Sequence, residues 1–146
     1  MKEVSGNIWS YHGKGYRIVV TTNGTIKGDG SCVMGRGIAL QARKKFPYLP
    51  QELGSLIEDW GNRVHRLDQY RLISFPVKHN WWEKADLELI EESTKQLKVA
   101  TGFASGLQSE SIYMVRPGCR NGGLDWKDVK PILEKYLDDR FVVVQI

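Results

Sequence analysis

Two rhythms of apolar and polar positions alternate along the chain. Arg17–Thr22, RIVVTT, is a short run of apolar and β-branched residues, the pattern of a strand covered on both faces. From Gly37, GIALQARKKF carries good helix formers with Ile38, Ala42 and Lys45 a turn apart, and Pro47 stops it. LPQELGSLIEDWGN sets Leu53, Leu56, Ile57 and Trp60 on one helical face and closes on Gly61 and Asn62. RVHRL and YRLISFPV flank Asp68 and Gln69 as a hairpin or two adjacent strands, the second ending at Pro76. Ala85–Ala104 places Leu87, Ile90, Thr94, Leu97 and Ala104 at helical spacing, a long amphipathic helix. Ser111–Val115 is a further strand. A last helix turns Val129, Leu133 and Tyr136 to one side, with Pro131 in its first turn, and FVVVQI is a closing buried strand.

This alternation calls for an α/β fold, a three-layer α/β/α sandwich around a mostly parallel, mixed sheet. Residues 1–146 have the commonest length of a single domain, and one domain is expected. In such sheets ligands bind beyond the carboxyl ends of the strands, where loops lead into helices. Two glycine-rich loops, KGDGSCVMGRG and VRPGCRNGG, leave strands at that end.

Glycine lets backbone come close to a ligand, and exposed N–H groups beside a helix N-terminus form an anion site. Both loops therefore suit phosphates, with Gly35 and Gly37 at one helix mouth and Gly118, Gly122 and Gly123 after a strand. Neither contains the Gly-Lys-Ser/Thr of a P-loop, and GRGIAL lacks the dinucleotide fingerprint. The net charge of +4 and pI near 9.1 favour an anionic ligand or partner, because the cations gather in these loops and around KHNWWEK. Cys32 and Cys119 form neither a metal-ligand spacing nor a disulfide framework, so reduced thiols are expected, and no metal or cofactor is called for. No apolar run approaches the ~20 residues of a membrane helix, and MKEVSGNIW does not read as a signal peptide. A cytoplasmic protein without a membrane partner is expected.

In order along the chain, VVTTNG, GDGSCVMGRGIALQARKKFP, LISFPVKHNWWEKADLELIEES and RPGCRNGGLDW resemble macrodomains. The branch they resemble contains terminal ADP-ribose protein glycohydrolase and the DNA ADP-ribosyl glycohydrolase antitoxins. The resemblance implies an ADP-ribose site whose diphosphate lies between the two loops. Its contact residues would be Asn7, Ile8, Asn23, Cys32, Val33, Met34, Gly35, Gly37 and Ile38, then Pro117, Gly118, Cys119, Arg120, Asn121, Gly122, Gly123 and Leu124. Two departures stand out. Gly6, Asn7, Ile8 replaces the common Gly-Asp-Ile, putting an amide where a carboxylate recognises adenine, and VTTNG replaces Val-Asn-Ala-Ala-Asn.

By the same resemblance Lys78 is the catalytic lysine that acts on the anomeric carbon of ADP-ribose. An amine attacks only when deprotonated, whereas an electrostatic or proton-transfer role needs no neutral amine, and the sequence leaves both open. The protein-directed branch pairs its lysine with an aspartate at the position of Gly122, so this chain is more like the DNA-directed antitoxins. Asp125 reads as a helix cap rather than a catalyst, and His79 as a half-exposed structural histidine rather than a proton shuttle. Tandem Trp81 and Trp82 among cations, with His79, suit stacking on single-stranded nucleic acid. As residue types alone, they favour one core and one surface tryptophan. The expected activity is removal of ADP-ribose from a nucleobase in DNA, with a separate ADP-ribosyltransferase toxin as partner by resemblance. Cleavage of ADP-ribosylated protein carboxylates or ADP-ribose 1''-phosphate, and a reader that binds ADP-ribose without cleavage, are the alternatives.

Overall fold

A computed structural model describes all 146 residues. The chain runs β1 (Lys2–Ser5), α1 (Ile8–Gly13), β2 (Arg17–Asn23), α2 (Gly37–Lys45), α3 (Leu49–Trp60), β3 (His65–Leu67), β4 (Leu72–Lys78), α4 (Leu87–Ala100), β5 (Ile112–Met114), α5 (Trp126–Tyr136) and β6 (Phe141–Gln145). Six strands form one sheet in the order β1-β6-β5-β2-β4-β3. Every pairing is parallel except β3 against β4, which makes the hairpin and not merely two adjacent strands.

Alternation along the strands splits the core in two. On β2, Val19 faces one side with Phe75, Leu97, Leu133 and Phe141, beneath α4 and α5. Ile18 and Val20 face the other, with Leu53 and Leu72, beneath α1, α2 and α3. Helices on both faces of the sheet make the three-layer α/β/α sandwich that the alternating elements predict. No helix is long and apolar enough to cross a membrane.

Several expectations need correction. The strand expected to end at Pro76 continues through it to Lys78. β3 pairs only with Leu72–Ser74, so β4 has no neighbour on that side at Pro76, and the Pro76 carbonyl accepts from Ser93 Oγ at 2.7 Å. Pro131 lies in the second turn of α5, not the first, because Asp125 caps the helix by accepting from the Lys127 N–H at 3.0 Å. α4 stops at Ala100, and Ala104 lies beyond it with φ +83°. Trp60 is exposed, while Leu53 and Ile57 of the same helix are buried. β1 and α1 have no counterpart in the sequence reading. β1 is an exposed edge strand with no apolar alternation, and α1 is six residues long, capped by Asn7.

Candidate functional site

The loops that follow β1, β2, β4 and β5 gather with the end of β6 at one edge of the sheet and enclose a cleft of about 1130 Å³. The first glycine-rich loop folds back on itself through the Ile26–Cys32 bridge before entering α2. Asn23 ties its base, donating from Nδ2 to the Val33 carbonyl at 3.0 Å while Oδ1 accepts from the Thr25 N–H at 3.0 Å. α3 supports it from below: the Cys32 N–H donates to the Pro50 carbonyl at 2.9 Å, and Gly54 leaves room for the Gly30 carbonyl.

The second loop is a tight coil. Leu124 N–H donates to the Gly118 carbonyl at 2.9 Å, and Gly122 offers its carbonyl to the Ala85 N–H at 2.9 Å. A Cβ on Gly118, which has φ +73°, would press on Ile90, Ala85 and Leu124 at 2.9–3.1 Å. The two loops meet at Gly37, where a Cβ would lie 2.9 Å from Asn121 Nδ2. α2 therefore opens towards the second loop, with no side-chain cap and no acidic residue in its first turn, which leaves its N–H groups available to an anion.

The charge of the cleft is one-sided. Arg36, Lys78, Arg116 and Arg120 line it, against Asp125, which is engaged at the N-terminus of α5. Lys78 ends β4, and Nζ donates to the Trp81 carbonyl at 3.3 Å. Partial burial holds its pKa below the ordinary lysine value of 10.5, and the Arg36 guanidinium adds to that. These are the two influences that favour a free amine. The thiols go the other way: burial pushes Cys32 to about 12 and Cys119 to about 11, so both are protonated.

Most residues expected around ADP-ribose do line this cleft: Asn7, Ile8, Asn23, Val33, Gly35, Gly37 and Ile38 from one side, Gly118–Leu124 from the other, with Lys78 and Trp81. Cys32 and Met34 do not; their side chains are buried beneath the first loop. Pro117 is buried behind the second loop. His79 turns away, pairing Nε2 with Asp86 Oδ2 at 2.8 Å, and Trp82 lies outside the cleft. Both tryptophans are exposed, at 48% and 63%, packed edge to face with centroids 5.9 Å apart, so neither enters the core. Asn7 caps α1 through Oδ1, which accepts from the Trp9 N–H at 3.0 Å. The cleft residues outside the expected set include Trp9, Arg36, Arg116 and Trp126. Trp9 Nε1 donates to Gln41 Oε1 at 2.7 Å, and the Arg116 guanidinium lies 5.0 Å over the Trp126 ring. Arg36 lies in GDGSCVMGRGIALQARKKFP, and Arg116 and Trp126 are the first and last residues of RPGCRNGGLDW, so only Trp9 stands outside the motifs that carry the resemblance.

A mostly parallel sheet sandwiched by helices, with two apposed glycine loops over the strand ends, defines the class, and the chain belongs to the macrodomain family. No protein-family profile matches it. It is similar to the DNA ADP-ribosyl glycohydrolase of Thermus aquaticus, 30% identical over 115 residues, which is 73% of this chain and 31% of that protein. The macrodomain of Thermus aquaticus DarG matches in structure with a TM-score of 0.76 at 29% identity, covering 99% of this chain and 97% of that one. The macrodomain of Mycobacterium tuberculosis DarG matches with a TM-score of 0.67 at 25% identity, covering 89% and 88%. A fusion protein of Thermosipho africanus, DNA ADP-ribosyl transferase joined to DNA ADP-ribosyl glycohydrolase, is 26% identical over 78% of this chain and 35% of its own length. This chain thus spans about a third of the length of the curated relatives it matches.

Proposed function

We propose that this protein binds ADP-ribose in the cleft and hydrolyses it from a nucleobase of DNA, with Lys78 acting at the anomeric carbon. The observation that carries this reading is Lys78 itself, an amine at the rim of a cleft between two glycine loops, with burial and Arg36 both favouring its neutral form. A neutral amine has the lone pair that attack on an electron-poor carbon requires. In that step the amine nitrogen bonds to the anomeric carbon, the bond from that carbon to the base nitrogen breaks, and the base leaves with the proton released by the amine. Water then displaces the lysine, which returns as the free amine with ADP-ribose as product.

The diphosphate would be held by the N–H groups opening α2 and by the backbone of Gly118–Gly123, with Arg36 and Arg120 supplying charge. Asn7 and Ile8, with Trp9 and Trp126 nearby, suit the adenine end. Cys32, Met34 and Pro117 would support the loops from behind. Trp81 and Trp82 offer two exposed rings beside Lys78 for the bases that flank the modified one. The DNA substrate is favoured over a protein carboxylate because Gly122 has no room for the aspartate of the protein-directed branch: a Cβ there would meet the Gly118 carbonyl. By its likeness to the Thermosipho relative, this protein would reverse the work of a DNA ADP-ribosyl transferase.

The test is mass spectrometry of single-stranded oligonucleotides carrying ADP-ribose on thymidine or on guanosine, incubated with wild type and Lys78→Ala, beside an ADP-ribosylated protein. Release of ADP-ribose from one oligonucleotide by wild type alone is expected. Cleavage of the protein substrate only would overturn the DNA assignment, and binding of ADP-ribose without any cleavage would make the protein a reader.

A further inference from the structure

Thr25 does not line the cleft, yet its hydroxyl joins two segments that do. Oγ1 accepts from the Trp81 N–H at 3.0 Å and donates to Asn80 Oδ1 at 3.1 Å. The Trp81 carbonyl in turn receives Lys78 Nζ at 3.3 Å. Thr25 is equally committed through its backbone: its N–H donates to Asn23 Oδ1 and its carbonyl accepts from the Val33 N–H, each at 3.0 Å. Gly24 brings the two segments together, donating its N–H to the His79 carbonyl at 3.1 Å. Only hydrogen fits on Gly24 at this crossing, since a Cβ would lie 2.7 Å from the His79 carbonyl oxygen and 2.8 Å from Asn62 Nδ2.

The Thr25 hydroxyl is one group doing two opposite tasks, accepting from a backbone N–H and donating to a side-chain oxygen. Valine, its match in shape, can do neither, and would leave the Trp81 N–H and Asn80 without their partner. Serine can do both. In the valine variant the turn from His79 to Trp81 keeps its backbone bonds at His79 and Asn80 but loses its tie at Trp81, and the carbonyl that orients the Lys78 amine loses its anchor.

We infer that Thr25 is a positioning residue for Lys78: through the Asn80–Trp81 turn it fixes the carbonyl that holds the amine, and so links that amine to the first glycine loop. The inference rests on the proposed role of Lys78 in cleavage. It makes Thr25 act on the rate of the chemical step and not on the hold on ADP-ribose.

Three measurements on the full chain test it: single-turnover cleavage of the ADP-ribosylated oligonucleotide, the Kd for ADP-ribose, and the rate at which acetic anhydride acetylates Lys78 in ligand-free protein, read by peptide mass spectrometry. In Thr25→Val the cleavage rate falls about tenfold, the equivalent of one lost hydrogen bond, with Kd changed less than about twofold. Lys78 is acetylated about threefold faster, because an ammonium released from its acceptor deprotonates more readily, while the other lysines keep their rates. Thr25→Ser restores both values. Asn80→Ala, which removes the acceptor that orients the Thr25 hydroxyl, shifts the labelling in the same direction by a smaller factor and serves if Thr25→Val does not fold.

Unchanged Lys78 labelling in both Thr25→Val and Asn80→Ala overturns the inference, as does a Kd that worsens as much as the rate or a Thr25→Ser variant no better than valine. The labelling needs no substrate, so the two readings fail separately. If labelling responds but wild type cleaves no oligonucleotide, positioning stands and the proposed function falls. If labelling is unmoved while Lys78→Ala abolishes cleavage, the function stands and the role of Thr25 falls.

Discussion

Gly122→Asp restores the carboxylate that the protein-directed branch carries, and it should damage the fold of the loop before it can do chemistry. The added Cβ would meet the Gly118 carbonyl and lie 2.7 Å from Gly118 Cα, both backbone atoms that cannot swing aside. Relief requires the coil to open, and opening breaks the Leu124-to-Gly118 and Ala85-to-Gly122 hydrogen bonds, each 2.9 Å long. Two such bonds are worth about 2 kcal/mol net, and a carboxylate forced into this buried position adds about 1 kcal/mol or more. About 3 kcal/mol corresponds to a fall in Tm of roughly 6–12 °C for a chain of this size. Circular dichroism thermal melts of wild type, Gly122→Ala and Gly122→Asp measure it. Alanine carries the same Cβ without the charge, so it should already account for most of the loss. Calorimetry should show ADP-ribose affinity at least about tenfold weaker in both, because the coil provides half of the proposed phosphate cradle. Melting points within about 2 °C of wild type, with affinity unchanged, would show that the loop has room for a side chain. The steric case against a protein substrate would then be lost, and cleavage of ADP-ribosylated protein by Gly122→Asp would reverse it outright.

Lys78→Met should abolish cleavage without lowering Tm at pH 7. The folded-state pKa of Lys78 is below 10.5, so the unfolded chain binds more protons between the two values, and the penalty of the desolvated ammonium is fully present below the folded pKa. The advantage of methionine should shrink as pH approaches 10.5; a clear loss of Tm at pH 7 would contradict it. Arg36→Gln removes a charge that lowers the Lys78 pKa, so the rise of the single-turnover rate with pH should move to higher pH, and an unmoved limb would show that Arg36 does not tune the amine. Trp81→Ala and Trp82→Ala should each leave Tm within about 2 °C, since both rings are exposed, while affinity for a single-stranded oligonucleotide falls about tenfold or more. Fluorescence anisotropy with no change in affinity for either variant would remove the tryptophans from the nucleic-acid surface.

How much of this was legible in the sequence depended on whether a residue's role is local. β2 and β6 were legible, and β4 up to its last two residues, because strands covered on both faces are continuously apolar, as RIVVTT and FVVVQ are. The two glycine loops were legible because their backbone demands are local, whereas Lys78, two residues past the expected strand end, was singled out by the resemblance. β1 and α1 were not legible, since β1 gains its place only by pairing with β6, almost the whole chain away. Arg116 and Trp126 bound the RPGCRNGGLDW motif, but their pairing was not legible, because an arginine ten residues before an indole comes to lie over it only once the loop between them has coiled. Trp81 and Trp82 show a different limit. Residue type predicts burial for a tryptophan on average, but here the short turn after β4 holds both rings at the surface, with the Trp81 backbone fastened to Thr25.

The strand order has a consequence for the timing of synthesis. β6 is the last of the six strands to leave the ribosome, and it inserts between β1, the first made, and β5. Until it arrives, β1 has no strand to pair with, and the Gly6–Asn7 end of the cleft is tied to the rest only through α1, whose Tyr11 ring stacks on Tyr113 of β5. A nascent chain can therefore pair β2 with β4 and β5 early, yet it holds only a fragment of the cleft, and the complete pocket forms in one late step after β6 has cleared the exit tunnel.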